Sequence, residues 1–83
     1  MLIRSSKELA ILIGNQRKKL KLTQVEVGDL VGLRQKTISA FENKPGSTQL
    51  DTVFKILSAL NLDIKLSSKS ALPETESKWK EEW

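Results

Sequence analysis

Between Thr23 and Glu42 this sequence leaves the backbone little choice. Thr23 opens the pattern Thr-x-x-Glu with Glu26. A threonine hydroxyl there accepts an early helix N–H, and the glutamate reaches back to the cap N–H. Val27, Leu30 and Val31 then share one helical face. Gly32 ends that helix, because glycine tolerates the positive φ found just past a helix terminus. A second short helix is expected from Gln35 to Glu42, burying Ile38 and Phe41. Gly28 carries no side chain, so the two helices can cross closely there. Leu33 and Ile38 are placed to fill the angle between them. The result is two short helices joined by a tight turn, a pattern that any αα-corner can share.

The flanking segments supply more helices. Ser5 and Glu8 form another capping pattern. A first helix is expected over Ser6 to Lys19, with Leu9, Leu12, Ile13, Gln16 and Leu20 at helical spacing. Arg17, Lys18, Lys19 and Lys21 sit at its end. There they suit the negative end of the helix dipole, or serve equally as phosphate contacts. Asn43 to Ser47 reads as a loop around Pro45-Gly46. Thr48 with Asp51 resembles a third capping pattern, followed by Leu50, Val53, Phe54, Leu57 and Leu60. Phe41 and Phe54 are assigned to the core.

After Leu60 the period changes. Leu62, Ile64 and Leu66 alternate with Asp63 and Lys65, as in a half-buried strand. One strand leaves its backbone unpaired. Leu2–Arg4 is the only other extended candidate, so the strand is expected to pair with its twin in a second chain. Irregular coil packed on the fourth helix is the alternative.

Composition narrows the chemistry. The chain has 83 residues and neither His nor Cys. This removes thiolate metal sites, the commonest metal ligand and the commonest general base. The acidic residues read as helix caps, not as a facing catalytic pair. No enzyme activity, cofactor, metal or small-molecule substrate is expected. No run approaches the ~20 apolar residues of a membrane helix, and no signal peptide is read. A cytoplasmic protein without membrane contact is expected.

Charge is uneven. Residues 1–69 hold twelve Lys and Arg against six acids, whereas residues 70–83 hold two Lys against four Glu. A basic body invites nucleic acid through counterion release, although a solvated basic surface would account for charge alone. The expected division is a folded domain over residues 1–69 and a flexible acidic tail over 70–83. Two of the four aromatic residues, Trp79 and Trp83, lie in that tail. Trp is enriched at interface hot spots, so a terminal indole fits a docking plug. Incidental folding back onto the domain is the alternative.

The polar residues left over carry the functional hint. Arg34, Gln35, Lys36, Thr37 and Ser39 gather at the start of the third helix. Arg and Lys can read guanine, Gln can read adenine with two hydrogen bonds, and Ser or Thr can donate or accept. Gln24, just inside the second helix, can hold a phosphate.

The stretches Leu22-Thr23-Gln24, Gly32-Leu33 and Thr37-Ile38-Ser39-Ala40-Phe41-Glu42-Asn43 resemble the helix-turn-helix of Cro/C1-type repressors. The similarity covers most of residues 6–62. It implies an all-α, lambda-repressor-like bundle of five-helix type that binds palindromic operator DNA as a dimer. It implies backbone contact by Gln24 and major-groove contact by Arg34, Gln35, Lys36 and Ser39. Thr37 would approach the backbone or a thymine methyl. Asn43 and Lys44, next along the chain, complete the expected DNA-binding set. Two positions depart from the pattern. Arg34 stands where a Ser or Thr cap is usual, and Gly28 replaces the usual Ala at about 1 kcal/mol in helix propensity.

The whole layout resembles HipB-type antitoxins. The matching parts are the strand Leu62 to Ser67 and the terminal Glu82-Trp83. The resemblance implies dimerisation through Leu62, Ile64 and Leu66. It also implies a HipA-type Ser/Thr kinase toxin as partner, bound through Trp83, and autorepression of the shared operon. A stand-alone dimeric repressor without a toxin, or a protein-interaction module that no longer binds DNA, are the alternatives.

Overall fold

The computed structural model describes residues 2–69. Four α-helices are present in it: α1 (Ser6–Lys19), α2 (Gln24–Val31), α3 (Gln35–Asn43) and α4 (Leu50–Ala59). A one-turn 3-10 helix, Pro45–Ser47, joins α3 to α4. The bundle thus has four α-helices and one short turn of helix among the described residues, instead of five full helices.

The helix starts follow local chemistry. Thr23 Oγ1 accepts from the Glu26 N–H at 3.1 Å, and Glu26 Oε1 accepts from the Thr23 N–H at 2.9 Å. Ser5 Oγ accepts from the Glu8 N–H at 3.1 Å. The Glu8 carboxylate accepts from the N–H of Arg4 at 2.7 Å, one residue before the cap. The Thr48 pattern fails. Gln49 is the cap residue of α4, and no side chain caps that helix. The Thr48 N–H instead donates to the Pro45 carbonyl, closing the 3-10 turn.

The core gathers Ala10 and Ile13 of α1, Val27 of α2, Ile38 and Phe41 of α3, and Val53, Ile56 and Leu57 of α4, with Leu60 just beyond it. Full burial of each large aliphatic or aromatic side chain stabilises by about 1.5–3 kcal/mol. Gln16 Nε2 donates to the Leu60 carbonyl at 3.4 Å, tying α1 to the end of α4. The core assignment needs one correction. Phe54 is half exposed at 50% and Leu50 is 67% exposed. Ile56, on the inner face of α4, takes the place expected for Phe54.

The α2–α3 corner matches its sequence logic. Gly32 adopts φ 72°, ψ 29°, the left-handed region where glycine is at ease. Its N–H and that of Leu33 both reach the Gly28 carbonyl, the latter at 2.8 Å. A Cβ on Gly28 would collide with the Leu33 carbonyl oxygen. In this chain the turn folds back so closely onto α2 that the Leu33 carbonyl fills the space a side chain at Gly28 would need.

No strand is present among the described residues of the single chain. Residues 62–68 run without regular backbone hydrogen bonding. Leu62 packs against the core, Ile64 is partly exposed, and Leu66 is 89% exposed. Ile64 lines the same hollow as Phe54. One chain thus leaves an apolar stripe uncovered, and the expected strand pairing would need a second one. The expectations for the tail, including Trp79 and Trp83, lie outside the described residues.

Candidate nucleic-acid interface

Helix α3 has two faces. Ile38 and Phe41 turn inward and are fully buried. Gln35, Ser39 and Asn43, four residues apart, form a polar row on the other side, flanked by Lys36. Arg34, Gln35, Lys36, Asn43 and Lys44 are exposed, and Thr37 and Ser39 are half-buried. Arg34 is the residue before α3 and makes no side-chain cap bond. Its guanidinium is not spent on its own helix. Asn43 Nδ2 donates to Ser39 Oγ at 3.2 Å, one turn apart.

Gln24 joins this row from α2. Its Oε1 accepts from Gln35 Nε2 at 2.6 Å, and its own Nε2 donates to Glu42 Oε1 at 3.1 Å. The sequence expectation gave Gln24 a phosphate contact and neither of these two partners. Gln24 is also the link between α3 and an ion pair beneath it.

That ion pair escaped the sequence reading. Arg17 Nε donates to Glu42 Oε2 at 2.7 Å, and a terminal nitrogen donates to Oε1 at 3.0 Å. The other terminal nitrogen donates to the Leu22 carbonyl at 2.9 Å. Arg17, in the last turn of α1, is therefore engaged inward with Glu42 and the Leu22 carbonyl, contacts that the sequence reading did not give it. Glu42 is no cap either: it lies near the C-terminal end of α3. The missing signal was distance in sequence, since 25 residues separate the pair.

Partial burial pushes the Glu42 carboxyl upward. Hydrogen bonds from Arg17 and Gln24, with the charges of Arg17 and Lys18, outweigh burial and hold its pKa below the ordinary 4.5. A depressed carboxylate stabilises the fold above its unfolded pKa and loses that contribution as pH falls through the folded value. Acidification below about pH 4.5 should therefore lower the melting temperature. Glu42→Gln should flatten that part of the profile, as thermal melts across pH 2 to 7 would reveal. A variant with the same slope as the parent would contradict the role given to Glu42.

No cluster of metal-ligand residues occurs among the described residues. No helix there is long and apolar enough to cross a membrane. What remains is a short polar helix, held at a fixed angle, with cations at both ends.

This corner and its exposed row define a helix-turn-helix protein of the DNA-binding class. The helix-turn-helix family HTH_3 matches residues 13–66. Antitoxin HipB of Escherichia coli strain K12 is 40% identical over 82 residues, spanning 98% of this chain and 93% of the relative. Among solved structures, the HipB-O4 20mer complex and the HipA-HipB-O2-O3 complex each superpose with a TM-score of 0.81 at 39% identity. Each covers 83% of this chain and 97% of the other. The chain belongs to the HipB family of helix-turn-helix antitoxins. Its relatives carry the name of an antitoxin and not of an enzyme.

Proposed function

We propose that this chain is a DNA-binding antitoxin that represses its own toxin–antitoxin operon and neutralises a HipA-type Ser/Thr kinase. The observation that carries the reading is the α3 row. Gln35, Lys36, Ser39 and Asn43 are displayed on one side of a helix that a glycine turn locks against α2. In this reading Arg34, Gln35, Lys36 and Ser39 meet base edges, while Gln24, Thr37, Asn43 and Lys44 meet the backbone. Two protomers set their α3 helices in successive major grooves, about 34 Å apart on a palindromic operator. The protein acts without a cofactor, in the cytoplasm, and catalyses nothing.

Residues 1–69 form the DNA-binding and dimerisation unit, and residues 70–83 the acidic tail. The two chains join through Leu62, Ile64 and Leu66, paired as strands, with Phe54 and Leu50 of α4 beside them. Uncovered apolar side chains on this stripe support that choice. Ile64→Asp would set two carboxylates into the apolar seam. The expected outcome is a monomer by sedimentation equilibrium. A dimer of unchanged stability would reject this seam.

The kinase is held in part by Trp83. One experiment tests both halves of the function, using the intact chain, Lys36→Ala and a chain lacking Trp83. Lys36→Ala should lose operator affinity by about tenfold with little change in melting temperature, since the residue is exposed. Loss of Trp83 should weaken kinase binding and leave operator affinity unchanged. Unaltered operator affinity in Lys36→Ala would count against the DNA site. Unaltered kinase affinity without Trp83 would count against the tail site.

A further inference from the structure

The polar chain beneath α3 has a direction. Arg17 and Gln24 both donate to the Glu42 carboxylate. An ionised carboxylate only accepts. Gln24 must therefore meet Glu42 with Nε2, which turns Gln24 Oε1 the other way. That oxygen accepts from Gln35 Nε2 at 2.6 Å. One N–H of Gln35 is thus spent inward. Its Oε1 and its second N–H are left for the exposed side.

We infer that the Arg17–Glu42 pair is a specificity determinant of DNA recognition: by fixing the direction of the Gln24 and Gln35 amides, it makes Gln35 select adenine over guanine. The inference rests on the DNA-binding reading given above. In the major groove adenine offers one acceptor, N7, and one donor, the N6 amine. The outward N–H and oxygen of Gln35 match that pair. Guanine offers two acceptors, N7 and O6. It asks for two donors, and Gln35 has only one left.

The reversed arrangement would suit guanine. Gln35 would turn its oxygen inward and present both Nε2 hydrogens. Gln24 would then have to face Glu42 with its oxygen, acceptor against acceptor with no proton between them. A buried or half-buried acceptor left without a donor is costly. Arg17 cannot supply relief by swinging away, because its third hydrogen bond holds the Leu22 carbonyl at 2.9 Å. Arg17 and Glu42 thus act as positioning residues, through Gln24 and Gln35.

The test is selection from duplexes with both half-sites randomised, using the full chain and three variants at fixed salt. Gln35→Glu locates the base pair that residue 35 meets, because an acceptor-only side chain shifts preference there towards cytosine. At that pair the parent should favour adenine over guanine by about tenfold or more. Glu42→Gln, whose neutral amide can meet Gln24 from either end, should bring the two purines within about twofold. Preferences at the other pairs should persist. A merely structural role would weaken every sequence by a common factor and leave the ratio intact.

Gln24→Met keeps the ion pair and removes only the amide link, so it should relax the same preference even if Glu42→Gln fails to fold. An adenine preference unchanged in Gln24→Met or in folded Glu42→Gln would overturn the inference. So would a parent preference for another base at that pair. A chain that binds no duplex at low salt would instead overturn the DNA-binding reading itself.

Discussion

Gly28→Ala should lower the melting temperature by about 10 °C or more. In an ordinary helix the change would help, because Ala exceeds Gly in propensity by about 1 kcal/mol. Here the added methyl meets the backbone oxygen of Leu33, which no rotamer change can move. Relief requires the turn to shift, and with it the angle of α3. Overpacking against fixed neighbours costs about 1–3 kcal/mol, occasionally more. A domain this small holds only about 0.05–0.15 kcal/mol per residue in reserve, and each kcal/mol is worth about 4–8 °C. The same shift would misalign Gln35 with Gln24, so DNA affinity should fall beyond what the melting temperature alone explains. A thermal melt and a binding titration on one preparation check both. An equal or higher melting temperature would mean that the corner is looser than described.

The second large effect concerns ionic strength. Lys44 at the end of α3, and Lys18 and Lys19 at the end of α1, are exposed and are not assigned to base edges. A dimer would bring six such cations to the duplex. Each phosphate neutralised releases counterions, with a slope of about −0.9 per contact on a log–log plot. Six contacts predict a fall in affinity of about 10³ between 50 and 200 mM salt. The half of the binding that comes from base edges is nearly indifferent to salt, so sequence preference should survive while affinity drops. A flat salt response would remove the phosphate contacts from the account.

What could be read from sequence, and what could not, divides along the range of the interaction. Ser5, Thr23 and Gly32 act within one turn of chain, and each helix boundary they specify is found at its place. Thr48 obeyed the same rule on paper but lost to a competitor. Pro45 starts a 3-10 turn whose closing donor is the Thr48 N–H, so the cap moved to Gln49. Helix α4 carries apolar residues on more than one stripe. Sequence periodicity cannot say that Val53, Ile56 and Leu57 face their own core while Leu50 and Phe54 face outward. Leu62, Ile64 and Leu66 posed the same problem: their alternation suits a strand, yet none forms among the described residues of the single chain, and the pairing proposed for them needs a second one.

At the site, the exposed set on α3 was legible because polar residues on a short apolar-backed helix have few other uses. The Arg17–Glu42 pair was not. Each residue had a plausible local role, and only packing of α1 against α3 brings the two charges within 2.7 Å. Gln24 was assigned one partner and has two within the protein itself.

The central claim is that α3 and its neighbours grip a duplex. The most direct test is a fluorescence anisotropy titration of the intact chain with its own promoter and with a shuffled duplex, at about 50 and 200 mM salt. The account predicts tight binding to the promoter at the lower salt, weaker binding to the shuffled sequence, and a drop of about 10³ for the promoter at the higher salt. Equal affinity for both duplexes, or no binding to either at 50 mM, would contradict it.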